Sequence, residues 1–283
     1  MRAFFKYAQH SKTLPVEFPG MTPKHRDALL PDSNPIEEQQ RAADLSPALV
    51  VGSRNVTSDW MSEIGRRLIT LMPYKAVGTT VFMTVFFIAY LQLLHHPVNS
   101  VTLMPLTPVD HWIGFEPWSL AIYLTLWVYV SLAPALIKSK QVLFGYGATI
   151  GIVCIIGLII FWLWPTAVPA PQIDWARFPG FGALKNVDGT GNACPSLHVA
   201  TAVFSGFWLH RLLRLIRVPS WLLIFNVLWC AAIVYSTMAT KQHVFLDAAA
   251  GVALGTIGAL LSLKLLMRHE NTNQPRTIPT QYK

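Results

Sequence analysis

Two histidines stand at the mouths of long apolar runs: His198 in Pro195-Ser196-Leu197-His198, and His243 in Lys241-Gln242-His243-Val244-Phe245-Leu246-Asp247. A helix that opens there presents unpaired backbone N–H groups and the positive end of its dipole, which together favour a bound phosphate. His243 and Asp247 lie at i and i+4, so on a helix they share a face and the carboxylate can accept the imidazole N–H. That contact would fix the tautomer, leave the other ring nitrogen's lone pair outward, and stabilise the ring once cationic. Ser196 can cap its helix or donate to a phosphate oxygen, and His198 can protonate a departing alkoxide. These residue types at these spacings suit phosphoryl transfer to nitrogen. The plainer alternatives are a self-satisfied His–Asp pair at a membrane boundary and an ordinary N-cap serine beside a histidine.

Such groups need rigid elements to hold them, and the chain supplies membrane spans. Of its 283 residues 53% are hydrophobic and only 13% charged, and the apolar runs are too long for a soluble domain. Stretches of about 18 or more apolar residues, enough to cross the hydrocarbon core, fall near 75–94, 118–137, 143–164, 196–213, 221–238 and 244–267. The pattern predicts an all-α fold, a six-transmembrane-helix bundle. The fourth span is the shortest, cut by Arg211 and Arg214, and is expected to reach the outer face by starting at Pro195. Residues 1–12 carry charge without an apolar core, so the first span is expected to act as the signal anchor.

Charge placement orients the spans. Arg66, Arg67 and Lys75, then Lys138 and Lys140, then Arg211, Arg214 and Arg217, and finally Lys264 and Arg268 share one side. The opposite loops hold no Lys or Arg (residues 95–117), Arg177 and Lys185, and Lys241. The positive-inside rule makes both termini cytoplasmic and brings both histidine motifs to the outer face. The formal charge of +8 is thus mostly topology. With no basic patch interleaved with aromatics, no nucleic-acid partner is expected.

Three regions are expected: residues 1–73, a cytoplasmic and partly irregular tail; 74–268, the six-span membrane domain; and 269–283, a short cytoplasmic tail. Proline punctuates the first region, with one short helix expected around 36–45 and an amphipathic segment near 58–72. In that segment Trp60, Ile64, Leu68 and Leu71 recur at helical spacing, which fits either a helix on the membrane surface or a packed soluble helix. The loop 165–194 is rich in Pro and Gly, and Trp112, Trp118, Trp162, Trp164 and Trp175 suit an interfacial belt. Cys154, Cys194 and Cys230 form no disulfide framework; the two within spans read as small packing residues.

Together the two motifs resemble the type 2 phosphatidic acid phosphatase superfamily, an integral-membrane group related to vanadium haloperoxidases, over roughly residues 109–266. The nearest branch is the inositol phosphorylceramide synthase-like, inositolphosphotransferase-type one. Val109-Asp110-His111-Trp112-Ile113-Gly114-Phe115-Glu116-Pro117-Trp118, followed by Tyr123, resembles that branch's second-span entry, and Pro-Ser-Leu-His is common there. The stretch from Ser236 through His243 and Asp247 to Gly251 fits the superfamily's third motif. The resemblance implies a six-span fold of that type and a phosphohistidine on His243. Asp247 would orient the nucleophile, and His198 would assist the leaving group and then the acceptor. Ser196 and nearby N–H groups would hold phosphate, and no metal or cofactor is implied.

The chain departs from the family pattern in its cations. Residues 161–165 read Phe-Trp-Leu-Trp-Pro where the first motif has Lys and Arg-Pro, and Thr237 stands where the third has Arg. Phosphoryl transfer depends on neutralised equatorial oxygens, which makes Lys241, Arg177 and Lys185 the candidate substitutes in substrate binding. The expected substrate is a membrane lipid bearing a phosphate, diphosphate or phosphodiester. Water as acceptor gives a phosphatase and an alcohol a transferase, towards which the branch resemblance tilts. The alternative is a catalytically silent lipid-binding protein of the same fold; a transporter fits less well, because the polar groups gather at one face. A bacterial inner membrane is the expected host, with the site facing the periplasm. Oligomeric state stays open.

Overall fold

Each apolar run folds into a helix whose ends are set by local chemistry. The computed structural model describes residues 56–181 and 191–272, which belong to one compact unit. Its helices are α1 (Val56–Ile69), α2 (Met72–His95), α3 (Pro108–Trp112), α4 (Ser119–Leu124), α5 (Leu126–Leu136), α6 (Lys140–Leu163), α7 (Leu197–Ile216), α8 (Ser220–Ala239) and α9 (Phe245–Thr272). With α4 and α5 counted as one span, six helices are long and apolar enough to cross a membrane. The fold is therefore the expected all-α six-span bundle. The expected helix around 36–45 lies outside the described residues.

Between α4 and α5 the ladder tightens rather than breaks. The Thr125 N–H and hydroxyl both donate to the Ile122 carbonyl, at 3.0 and 2.6 Å, an i→i+3 arrangement that locally turns the helix. Two short strands, β1 (Thr102–Leu103) and β2 (Thr166–Ala167), pair in parallel with Thr102 opposite Thr166. Asn192 bridges onto Thr166, and the Glu116 N–H donates to the Ala239 carbonyl at 3.0 Å. The connections that follow α2, α6 and α8 are thus bound together at one end of the bundle.

The opposite end is closed by cations on helix carbonyls. Pro134 sits in the last turn of α5, where it removes a ladder donor. The Lys75 ammonium donates to the carbonyls of Arg67 and Ala135, both at 2.6 Å, and Arg67 reaches the Leu136 carbonyl at 3.4 Å. Positive charge on a helix C-terminus is favourable. Glu63 joins the cluster through Arg67 at 2.7 Å and Arg66 at 2.6 Å. The Arg67 hydrogen bond outweighs burial and holds the Glu63 carboxyl below its ordinary range. The amphipathic segment accordingly docks on the bundle, with Trp60 and Ile64 packed against its core.

At the centre stands α7. Across its most apolar window 67% of residues are buried, against 6–33% for the other five spans. Its hydropathy is also the lowest of the six, because it faces protein rather than lipid and can carry polar residues if each finds a partner. Ser205 pairs with the Tyr146 hydroxyl at 3.0 Å, Trp208 donates to Ser262 at 3.2 Å, and the Gly206 carbonyl accepts from Asn226 at 3.1 Å. One expectation is corrected: Pro195 precedes the helix instead of opening it. Ser196 Oγ accepts the Val199 N–H at 3.2 Å, so Ser196 is the cap and Leu197 the first helical residue.

Small residues let α9 close on α7. A Cβ at Gly251 would stand 2.5 Å from the Ser196 carbonyl oxygen and one at Gly255 would run into the Ala200 carbonyl, while one at Gly258 would run into Val153 of α6. Stripes of small residues allow this approach of backbones within a membrane. Gly255→Ala should lower the thermal midpoint in detergent, by an overpacking cost of about 1–3 kcal/mol. Gly78→Ala, where a Cβ meets nothing within 4 Å, should leave it unchanged.

Candidate active site

The turn that delivers His243 is built from the spent end of α8. The N–H groups of Gln242 and His243 both donate to the Thr237 carbonyl, at 3.0 and 3.1 Å. Lys241 takes a left-handed conformation (φ 59°), which ends the helix and reverses the chain. Thr237, standing where the resembling family has arginine, thus anchors the turn through its backbone. Immediately beyond, Asp247 caps α9 from inside: its Oδ2 accepts the Val244 N–H at 3.1 Å, half of a capping box. The same oxygen lies 3.6 Å from His243 Nδ1. Asp247 is fully buried, and its Oδ1 has no hydrogen-bond partner among the described residues.

The second motif meets the first through backbone and ring. The Ser196 N–H donates to the Asp247 carbonyl at 3.0 Å. That contact sets the first turns of α7 and α9 side by side, and His198 Nδ1 lies 3.1 Å from His243 Nε2. On its other side His198 Nε2 is 3.3 Å from the Tyr123 hydroxyl. The Trp127 ring stands at 85° to the imidazole, with 6.1 Å between centroids. Residues from α4, α5, α7 and the α8–α9 turn therefore converge on one pair of imidazoles.

The candidate cations are placed unevenly. The Lys241 ammonium donates to the carbonyls of Ile113 at 2.5 Å and Asp110 at 3.3 Å. Burial lowers its tendency to hold a proton, opposed by the charge of Asp110. Arg177 is exposed and paired with Asp174 at 3.1 Å; Lys185 lies outside the described residues. Trp175 joins Phe115, Phe178 and Phe181 in an aromatic cluster with centroids 5.1–6.3 Å apart. Burial, with the nearby Asp247 carboxylate, pushes the Cys194 thiol up to about 11, which makes it a poor nucleophile. Among the described residues no group of three His, Cys, Asp or Glu could hold a metal ion.

Two residues that sequence reasoning did not assign to the site belong to it by position. Asp110 Oδ1 accepts the Phe245 N–H, the first of α9, at 2.7 Å, while its Oδ2 accepts the N–H and hydroxyl of Thr107 at 2.7 and 2.8 Å. With Lys241 this clasps the loop after α2 to the α8–α9 turn. The Thr-x-x-Asp spacing is a capping signature that announces α3 but says nothing of α9. Tyr123 has no local signal of its contact with His198.

Residues 138–270 match a family model described as PAP2 superfamily. The matched stretch carries both histidine motifs and the helices from α6 to α9; it omits the second-span entry at 109–123. No curated protein and no solved structure matches the chain.

Burial would raise the Asp110 carboxyl, but the bonds from Thr107 and Phe245 and the charge of Lys241 outweigh it, and the net shift is downward. A depressed carboxyl stabilises above its unfolded pKa, and that stability is lost as pH falls through the folded value. Asp110→Asn should cost about 0.5–2 kcal/mol at neutral pH, the range of a lost cap. The gap in thermal midpoint between the two proteins should close as pH drops below about 4.

Proposed function

We propose that this protein is an integral-membrane lipid phosphatase or phosphotransferase of the PAP2 superfamily, working through a phosphohistidine on His243. The observation that carries the reading is the 3.1 Å approach of His198 Nδ1 to His243 Nε2, with Asp247 behind the nucleophile. In this reading Asp247 orients His243 and supports its positive charge. His243 Nε2 attacks phosphorus. Protonated His198 gives its proton to the departing oxygen, then takes one from the incoming water or alcohol. Ser196 occupies two of the first N–H groups of α7, those of Val199 and Ala200, leaving Leu197 and His198 to face an anion. Lys241, its ammonium on the Ile113 and Asp110 carbonyls, adds charge from the α8–α9 turn.

The substrate is a lipid phosphate, diphosphate or phosphodiester, whose phosphorus lies at the bilayer depth where α7 and α9 begin. Similarity of residues 109–123 to the inositol phosphorylceramide synthase-like branch favours an alcohol acceptor, hence headgroup transfer. Lys and Arg gather at the end of the bundle opposite the histidines, which supports cytoplasmic termini and a periplasmic site in a bacterial inner membrane. The scarcity of cations beside the histidines among the described residues favours one second reading, a catalytically silent lipid-binding relative.

Vesicles containing phosphatidate or phosphatidylinositol labelled at phosphorus should leave acid-labile, base-stable label on the wild-type protein. His243→Ala should abolish both label and turnover, and His198→Ala should slow release of label by about 10²-fold or more. Full turnover by His243→Ala would eliminate the mechanism; absence of label and turnover in the wild type would favour the silent relative.

A further inference from the structure

We propose that Tyr123 is the positioning residue of His198, its hydroxyl holding the imidazole with Nδ1 turned toward His243. The inference rests on the reading of His243 as nucleophile. Tyr123 is buried at 4% exposure, its ring 5.6 Å from the imidazole centroid and its hydroxyl 3.3 Å from Nε2. His198 Nδ1 is engaged by His243 at 3.1 Å. With both nitrogens engaged and the Trp127 ring alongside, the imidazole is held in this orientation.

The direction of the protons follows from Asp247. Its carboxylate faces His243 Nδ1 at 3.6 Å in a buried setting. A lone pair at that nitrogen would oppose a carboxylate lone pair, so Nδ1 carries the proton and Nε2 is left as acceptor. His198 Nδ1–H must then donate to His243 Nε2, and neutral His198 accepts from the Tyr123 hydroxyl at its own Nε2. A hydroxyl also accepts, so Tyr123 serves equally when His198 is an imidazolium with Nε2–H. Phenylalanine can do neither and would leave this half-buried ring nitrogen without its protein partner.

This two-way bond matches the proposed cycle. As the His243 Nε2–P bond forms and the P–O bond breaks, the departing oxygen takes the Nδ1 proton of cationic His198. The ring stays neutral with Nε2–H donating to Tyr123 and its Nδ1 lone pair beside phosphorus. The incoming water or alcohol gives its proton to that lone pair as its oxygen bonds phosphorus and the N–P bond breaks. Without Tyr123 nothing holds Nε2, so the ring can turn its Nδ1 away from His243, and either nitrogen can then carry the proton.

The test uses the full chain, ¹⁵N-labelled at histidine in lipid nanodiscs, with His198 signals assigned by their loss in His198→Gln. Wild-type His198, when neutral and without substrate, should show the Nδ1–H tautomer, and Tyr123→Phe should redistribute it. On labelled phosphatidate or phosphatidylinositol, Tyr123→Phe should lower kcat about tenfold or more while KM stays within about twofold. An Nε2–H tautomer in the wild type overturns the proposal even if the variant does not fold. An unchanged tautomer in Tyr123→Phe, or an unchanged kcat, also overturns it. Tautomer redistribution in a protein whose wild type turns over neither lipid keeps the Tyr123 contact and removes the phosphohistidine reading instead.

Discussion

The Asp247 carbonyl accepts the Ser196 N–H at 3.0 Å, a contact that requires the backbones of α7 and α9 to be close together. They are, because Gly251 and Gly255 offer no side chain where the Ser196 and Ala200 carbonyls pass. A bulkier stripe would separate the two helix mouths by more than a hydrogen bond tolerates, and two imidazoles 3.1 Å apart would become two independent boundary histidines. Helix packing in a membrane gains little from burying apolar surface against apolar lipid, and depends on close van der Waals fit and interhelical hydrogen bonds. The same small residues that hold the bundle together therefore align its two histidine motifs.

Charge is divided between the ends of the bundle for separate physical reasons. At one end Arg67 and Lys75 satisfy carbonyls in the last turns of α1 and α5, which ties the entry of the first span to the bundle. At the other, positive potential comes mainly from helix N-termini. The start of α9 is already supplied with acceptors, Asp110 on Phe245 and Asp247 on Val244. The start of α7 keeps first-turn N–H groups beside His198. The two mouths, equivalent in the sequence, differ in what they can still bind.

Much of the architecture was legible before any coordinates. Long apolar runs have little choice in a bilayer, since every backbone donor and acceptor must be satisfied within the segment. The six spans therefore fall where hydropathy places them, each within a few residues of expectation. Ser196 as a cap and the His243–Asp247 pairing on one face follow from local spacing. Helix α7 starts two residues beyond Pro195, because a serine that caps leaves the proline before it outside the helix. Trp175 reads as an interfacial anchor by type, and its contact with Phe115, 60 residues away, is one that type does not announce.

What the chain determined by itself was local and periodic: helix existence, the order of spans, and the residues at each helix mouth. Only the tertiary structure decided which groups meet. It brought Tyr123 to His198, turned Lys241 onto the carbonyls of Asp110 and Ile113, and joined Asp110 to the first turn of α9. Each of these contacts crosses between helices or loops far apart in sequence. Their geometry depends on how separate helices and loops pack together, a quantity that periodicity along one helix does not contain.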